Sequence, residues 1–348
     1  MRFLYIVDLK IIFKYLTLLL FISCVGSVRA QEVGSAYNFL NITSSSKIYG
    51  LGGVNISLVD DDFLSADQNP ALLGQEMSGQ IGLSYMHYLG GSNFASLGYT
   101  HSAGEHGAWA ASIKYFGYGA MNETDANGNI LGKFSPLDMA FTGSYSHDIT
   151  DRLRGGIDIR LLYSSYAEFS AFALSTDLGI NYYDEEHDLS LSFVAANLGG
   201  QLKKFNESAD RLPIDVRLGW SQSFGSFPVR FSITAWNLCK WKLPYYESGD
   251  GTSDGDFEIK ESFMSNLFRH LVFSADLISS PNWYIGLGYN YKTRTDMATY
   301  HRSFLSGWSV GAGINVKAFK VGVALSQPHV GGTSFMFNLN CSIEDILN

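Results

Sequence analysis

From about Gln80 to its end the chain repeats one pattern: segments roughly ten residues long in which apolar residues alternate with small or polar ones. A period of two sends successive side chains to opposite faces of a strand, so each segment has one apolar and one polar face. The cleanest case sets Ile214, Val216, Leu218 and Trp220 against Asp215, Arg217, Gly219 and Ser221; Trp308, Val310, Ala312 and Ile314 against Ser309, Gly311, Gly313 and Asn315 repeat it. Fourteen such segments can be marked, at approximately 80–89, 93–102, 108–118, 137–147, 153–164, 171–183, 188–197, 213–223, 229–238, 270–279, 283–292, 305–316, 319–326 and 334–343. The pattern predicts an all-β chain.

A soluble sandwich also alternates, so the position of the charges has to choose between water and lipid. Lys114, Asp138, Arg154, Asp158, Arg160, Asp177, Asp215, Arg217, Arg230 and Asp276 all fall in register with the polar face. A basic side chain on the lipid side at mid-bilayer costs roughly 2–4 kcal/mol, whereas a sandwich tolerates charge freely on its outer face. Charged residues make up 16% of the chain, thin cover for a surface facing water, yet past residue 30 no run of 18 apolar residues supplies a helical span. The connections also alternate between short and long: Asp184–His187, Gly225–Pro228, Ser280–Asn282 and Lys317-Ala318 against a stretch between Cys239 and Arg269. Tyr85, Tyr88, Tyr115, Tyr118, Tyr163, Tyr182, Trp220, Trp283, Tyr291 and Trp308 cluster near strand ends, as interface girdles do. Together these features predict a membrane-spanning antiparallel β-barrel of about fourteen strands, with short turns in the periplasm and long loops outside.

Three regions are expected. Residues 1–30 read as a signal peptide: Arg2, Lys10 and Lys14 lead an apolar run from Tyr15 to Gly26, and Val28-Arg29-Ala30 is a small-x-small cleavage site. An acylation site at Cys24 is the competing reading, and Phe21 fits it poorly. Residues 31–78 do not alternate and are expected to plug the lumen, with Asn69-Pro70-Ala71 as a turn; residues 79–348 form the barrel. Cleavage after residue 30 leaves 20 basic against 32 acidic residues, a formal charge of −12, which argues against nucleic acid as a partner. Cys239 and Cys341 fall at opposite ends of the expected barrel, so no disulfide is expected between them.

The motifs yield no catalytic, cofactor-binding or metal-binding residue. Gly50-Leu51-Gly52-Gly53 lacks both a βαβ setting and a following Lys-Ser/Thr, so it reads as a tight turn of the plug. Asp60-Asp61-Asp62 reads as a solvated or lumen-facing acidic turn, and the eight histidines show no metal spacing. Asp250–Glu261 matches the oxygen-ligand spacing of an EF-hand calcium loop, but Pro244 interrupts the helix that would precede it; a flexible acidic loop is the other reading.

Tyr37-Asn38-Phe39-Leu40-Asn41-Ile42, followed by Gly50-Leu51-Gly52-Gly53, Asn55-Ile56-Ser57, Asp60–Asp62 and Asn69-Pro70-Ala71-Leu72, resembles the opening of the PorV/PorQ family of type IX secretion outer-membrane proteins, within the FadL-like barrel superfamily. Arg230-Phe231-Ser232-Ile233-Thr234-Ala235-Trp236-Asn237-Leu238 and the overall length resemble the PorQ branch more than the longer PorV. The resemblance covers essentially the whole mature chain; Asn-Pro-Ala is widespread in the superfamily, and the Tyr-x-Phe-Leu-Asn opening is more specific. It implies a fourteen-stranded barrel set in outer-membrane lipid, a scaffold of the type IX apparatus that anchors a PorZ-like surface partner near PorU and PorV. The loops expected to reach such a partner are Met121–Pro136, Leu198–Leu212, Lys240–Arg269 and Thr293–Arg302. The alternative function is a FadL-like channel for hydrophobic compounds; Phe116, Leu162, Val194 and Trp236, expected to face the lumen, suit an apolar ligand and equally packing against the plug.

Overall fold

The computed structural model describes residues 37–347 apart from 126, 128, 206–208, 225–226, 244, 249–256, 261, 281, 297–304 and 330–331. The expected leader at 1–30 and the calcium-like pattern of Asp250–Glu261, most of which is among these exceptions, lie outside the described residues.

The strands are β1 (Gln80–His87), β2 (Asn93–Ser102), β3 (Gly107–Gly117), β4 (Met121–Thr124), β5 (Ile130–Phe134), β6 (Leu137–Thr150), β7 (Leu153–Tyr166), β8 (Phe169–Asp184), β9 (Leu189–Lys203), β10 (Asp215–Ser223), β11 (Val229–Ala235), β12 (Tyr245–Ser248), β13 (Phe257–Lys260), β14 (Leu271–Ser280), β15 (Trp283–Asn290), β16 (Trp308–Val316), β17 (Phe319–His329) and β18 (Gly332–Ser342). Fourteen of them close an antiparallel barrel, and β4–β5 and β12–β13 are separate two-stranded hairpins. Closure joins the first strand to the last, with Gln80 opposite Ser342 and Leu83 opposite Leu339. Closure leaves the barrel no unpaired edge, so the backbone groups of its fourteen strands can be satisfied without water.

The two faces separate as the alternation requires. Ile81, Leu83, Leu97, Leu218, Ile285, Val310 and Ile314 point outward and remain exposed, whereas Ser84, Ser96, Ser221, Asp276 and Asn338 point inward and are buried. A continuous apolar belt of this kind is far larger than a soluble monomer leaves in water and marks the lipid-facing side of an outer-membrane barrel. Every charged residue expected on the polar face turns inward; all are buried except Arg154, which is partly so.

Three expectations are corrected. The loop expected to begin at Leu198 is strand as far as Lys203, because β8 and β9 keep pairing beyond the belt through irregularities near Ala173 and Asp177 and a left-handed Asn197. Gly199-Gly200 in that stretch reads as loop by composition alone. Secondly, Met121–Pro136 is a hairpin, turned by Asp125 Oδ1, which accepts from Asn127 N at 2.9 Å and Asn129 N at 2.8 Å. Thirdly, Tyr88 and Tyr118 are not girdle residues: both pack on the lumen's apolar cluster. Elsewhere in the long loops, helices run over Phe263–Arg269 and Tyr291–Asp296.

Candidate functional site

Residues 37–79 run inside the barrel as a hatch of short turns. Ser45 caps the helix Ser46–Gly50 by accepting from Ile48 N, and Asp62 caps the turn Phe63–Gln68 by accepting from Leu64 N at 3.0 Å. Asn69-Pro70-Ala71 is a turn as expected: Asn69 Oδ1 accepts from Ala71 N at 3.0 Å, Pro70 stands at the start of the turn, and Asn69 Nδ2 donates to Ile56 O at 2.7 Å. Gly52 and Gly53 take left-handed φ values of +102° and +83°, which makes the Gly50–Gly53 run the tight turn its composition implies.

A buried segment with so little regular structure leaves many carbonyls without backbone partners, and the wall supplies donors for them. Lys114 Nζ donates to Ile42 O at 3.1 Å, Arg230 Nη1 to Val59 O at 2.9 Å, Ser146 Oγ to Leu73 O at 2.7 Å, Ser309 Oγ to Gly50 O at 2.9 Å and Asn338 Nδ2 to Ser44 O at 2.6 Å. Backbone meets backbone where Gly50 lies on Gly311; a Cβ on Gly50 would collide with Gly311 Cα. The acidic turn divides its work: Asp60 pairs with Lys47 at 2.7 Å, Asp61 with Lys320 at 2.7 Å, and Asp62 accepts from Asn340 Nδ2 at 2.6 Å.

The wall's own charges are matched at close range. Arg160 bridges Asp158 at 2.8 Å and Asp177 at 2.6 Å, Arg217 pairs with Asp215 at 2.8 Å, and Arg230 grips Asp276 through two nitrogens at 3.2 and 2.7 Å. Buried charges of this kind persist where hydrogen bonds meet the remaining lone pairs and protons.

Above this polar layer, toward the long loops, the lumen is apolar. Met86, Phe94, Phe116, Ala140, Leu162 and Met336 line it, and the hatch inserts Tyr37, Phe39 and Leu40 among them. Phe116 and Leu162 are buried in this layer, Val194 is buried against Ile56 of the hatch, and Trp236 is half-buried just past the end of β11. Asp138 sits at the edge of this layer, where Tyr118 and Tyr166 both donate to its Oδ2, at 2.6 and 2.9 Å. Arg217 Nη2 donates to Asn41 Oδ1 at 2.7 Å, and Gln201 Nε2 to Tyr37 Oη at 2.9 Å.

At the opposite end, the turn after β8 brings Asp184, Glu186 and His187 together with ligand atoms within 4.8 Å of one another, a cluster to which histidine spacing alone gives no signal. Arg152 pairs with the same two carboxylates, at 3.4 Å from Asp184 and 3.5 Å from Glu186. Cys239 and Cys341 are not joined.

No protein-family profile matches the chain. No curated protein matches it either. Among solved structures it is similar to a Pseudomonas aeruginosa FadL homologue, at 12% identity and a TM-score of 0.51, over 86% of this chain and 98% of that one. It is also similar to a ΔS2S3 mutant of TodX, a monoaromatic hydrocarbon channel, at 11% identity and a TM-score of 0.51, over 85% of this chain and 97% of that one. These likenesses show a FadL-like outer-membrane barrel fold.

Proposed function

We propose that the chain is a channel for small hydrophobic compounds across the outer membrane, closed at rest by its own N-terminal segment. The observation that carries this reading is the apolar layer at the long-loop end. Met86, Phe94, Phe116, Leu162 and Met336 turn inward there, and the space between them is taken by Tyr37, Phe39 and Leu40 of the hatch. A barrel that conducts ions or water has a polar lumen at that level. Once the short segment moves, an apolar compound meets a lining of its own kind, and passage beyond it needs the hatch below to part from the wall as well. The fold shared with the FadL homologue and with TodX supports the same reading. By the usual arrangement of such barrels, short turns are periplasmic and long loops face outside, so entry is from the loop side.

A second reading keeps the barrel shut and uses its loops: a PorQ-like component of the type IX apparatus holding a PorZ-like surface partner. It is favoured by the β4–β5 hairpin, which carries Met121, Ile130 and Leu131 exposed on the long-loop side. Aliphatic side chains held in water are what a partner surface would cover.

One strain pair decides between them. In cells lacking the protein, uptake of radiolabelled toluene and of a long-chain fatty acid is measured beside retention of secreted proteins on the surface. The channel reading expects lost uptake, restored by the wild-type chain, with surface attachment unchanged. Normal uptake together with release of cargo into the medium would move the function to the anchor reading.

A further inference from the structure

Asp138 is 1% exposed at the edge of the lumen's apolar layer. Its Oδ2 accepts from Tyr118 at 2.6 Å and from Tyr166 at 2.9 Å, whereas its Oδ1 is buried without a hydrogen-bond partner. Strand register puts Phe116 directly opposite it on β3 and Ser164 directly opposite it on β7. Ser164 is also 1% exposed, and its Oγ is a second buried atom without a partner. The wall cations nearby are engaged elsewhere: Lys114, two positions from Phe116, is held by Asp67 and Ile42 O, and Arg160 by Asp158 and Asp177. Buried polar atoms are almost always satisfied, so two unpaired ones on facing residues point to a polar guest.

The chemistry of the corner narrows what the guest is. A carboxylate oxygen with open lone pairs accepts, so the guest must donate. The ionised head of a fatty acid has no proton to give and would set like charge against Asp138. An ammonium would have to shed its water among Met86, Phe94 and Leu162, a cost that a neutral hydroxyl is largely spared. The walls are aromatic: Phe116 meets Tyr118 edge-on at 4.8 Å between ring centres and Tyr88 at 5.9 Å, and Tyr118 lies 5.6 Å from Tyr166. Rings so arranged suit a further ring in the same kind of contact. The hatch already places one there. The Tyr37 phenol is buried beside Ser164, close enough for the Asp138 charge to add to burial in raising its pKa.

We propose that this corner is the subsite by which the channel selects its substrates, and that it takes small phenols, whose hydroxyl donates to Asp138 Oδ1 while the ring replaces that of Tyr37. The assignment rests on the channel reading and narrows its substrates from hydrophobic compounds at large to aromatic ones carrying a hydroxyl group.

p-Cresol has the atoms of a tyrosine side chain, so Tyr37→Gly opens a space of its shape, and glycine suits the left-handed φ of +64° at this position. Binding of radiolabelled p-cresol and of toluene to the full mature chain carrying Tyr37→Gly is measured by equilibrium dialysis in lipid nanodiscs, above the background of empty nanodiscs. p-Cresol is expected to bind about tenfold more tightly than toluene, as a hydrogen bond to a charged acceptor implies. Asp138→Leu in the same background should erase the difference. Should Asp138→Leu not assemble, the comparison of the two compounds carries the test. In cells, uptake of p-cresol through the wild-type chain, corrected for cells lacking the protein, should exceed that of toluene. Equal affinities in Tyr37→Gly, or equal uptake in cells, overturn the subsite and leave the channel reading standing. So does a preference for p-cresol that survives Asp138→Leu. If neither compound enters cells through the protein, the channel reading falls and the proposal falls with it.

Discussion

Lys114 of the barrel wall reaches into the lumen and places its Nζ 2.8 Å from Asp67 Oδ2 of the hatch. The same ammonium donates to Ile42 O at 3.1 Å, so one buried side chain holds the hatch at two points 25 residues apart. Replacing Lys114 by Met leaves Asp67 buried without its counter-charge, a loss of about 3–5 kcal/mol by comparison with other broken buried pairs. The expected result is a lower urea midpoint and loss of the heat-modifiable band on a gel. A Lys114→Met/Asp67→Leu double variant should recover much of the loss, because no charge is then stranded. Equal damage in the single and double variants would show that the ammonium's bond to Ile42 O matters more than the pair.

Leu218 and Gly219 are neighbours on β10 that face opposite solvents. Leu218 is exposed on the outer belt, and Leu218→Arg should cost about 2–4 kcal/mol if it lies near mid-bilayer. Gly219 faces the hatch, where an added Cβ would lie 2.7 Å from Ile56 Cγ1 and 2.9 Å from Ser57 Cβ. Gly219→Arg, a lumen substitution mild by its polar register alone, is therefore expected to block hatch docking. Comparison with a chain lacking residues 31–78 separates the two causes. There Gly219→Arg should become tolerable while Leu218→Arg remains harmful, and equal harm from both would reverse the assignment of faces.

Asp62 gives the hatch a pH dependence. Burial and the nearby Asp60 carboxylate push its carboxyl up from 3.8 to about 6. An acid whose pKa is raised on folding binds its proton more tightly in the folded state, so its contribution is present below about pH 4 and is lost as pH rises through 6. Asp60 runs the other way. Burial raises it, but Lys47 and Arg230 outweigh burial and hold it well below the usual carboxylate range, so its contribution weakens only in strong acid. Between pH 4 and 6 Asp62 therefore adds a falling slope, on the order of 1 kcal/mol after allowance for its partial exposure. Asp62→Asn should make the urea midpoint fall less steeply with pH over that window, and an unchanged slope would remove Asp62 from the account.

How much of this was legible in the sequence depends on the contrast between a strand's two sides. The alternation predicts β2 at 93–102 and it runs Asn93–Ser102, because lipid on one side and a polar lumen on the other stamp a period of two on it. Above the belt that contrast fades, so composition alone makes the upper part of β9 look like loop. Tyr118 shows a second limit: at a strand end an aromatic can turn to lipid headgroups or to the lumen, and only the three-dimensional position of Asp138 settles which. The hatch was legible as a segment without alternation, and its Asn69-Pro70 turn as a turn. Its attachments were not, since Lys114–Asp67 and Arg230–Val59 join residues 47 and 171 positions apart with no periodic signal between them.

The segment Tyr37–Leu40 is where closure can be tested with least disturbance elsewhere. Tyr37 holds a left-handed backbone at φ +64°, uncommon for a residue with a side chain, and its hydroxyl accepts from Gln201. Phe39 and Leu40 fill the apolar layer beneath it. Phe39→Ala with Leu40→Ala should cost several kcal/mol, about 2–5 for each buried side chain, and should leave the lower hatch bound through Lys114, Arg230 and Asn338. If the barrel is a channel gated by this segment, the double variant should take up toluene faster than the wild type while excluding small ions in bilayer conductance. If the lumen never opens, uptake should match that of cells lacking the protein, because the polar layer and its ion pairs still close the path. Conductance to ions in the variant would show instead that the whole hatch had left, and that the two layers come apart together.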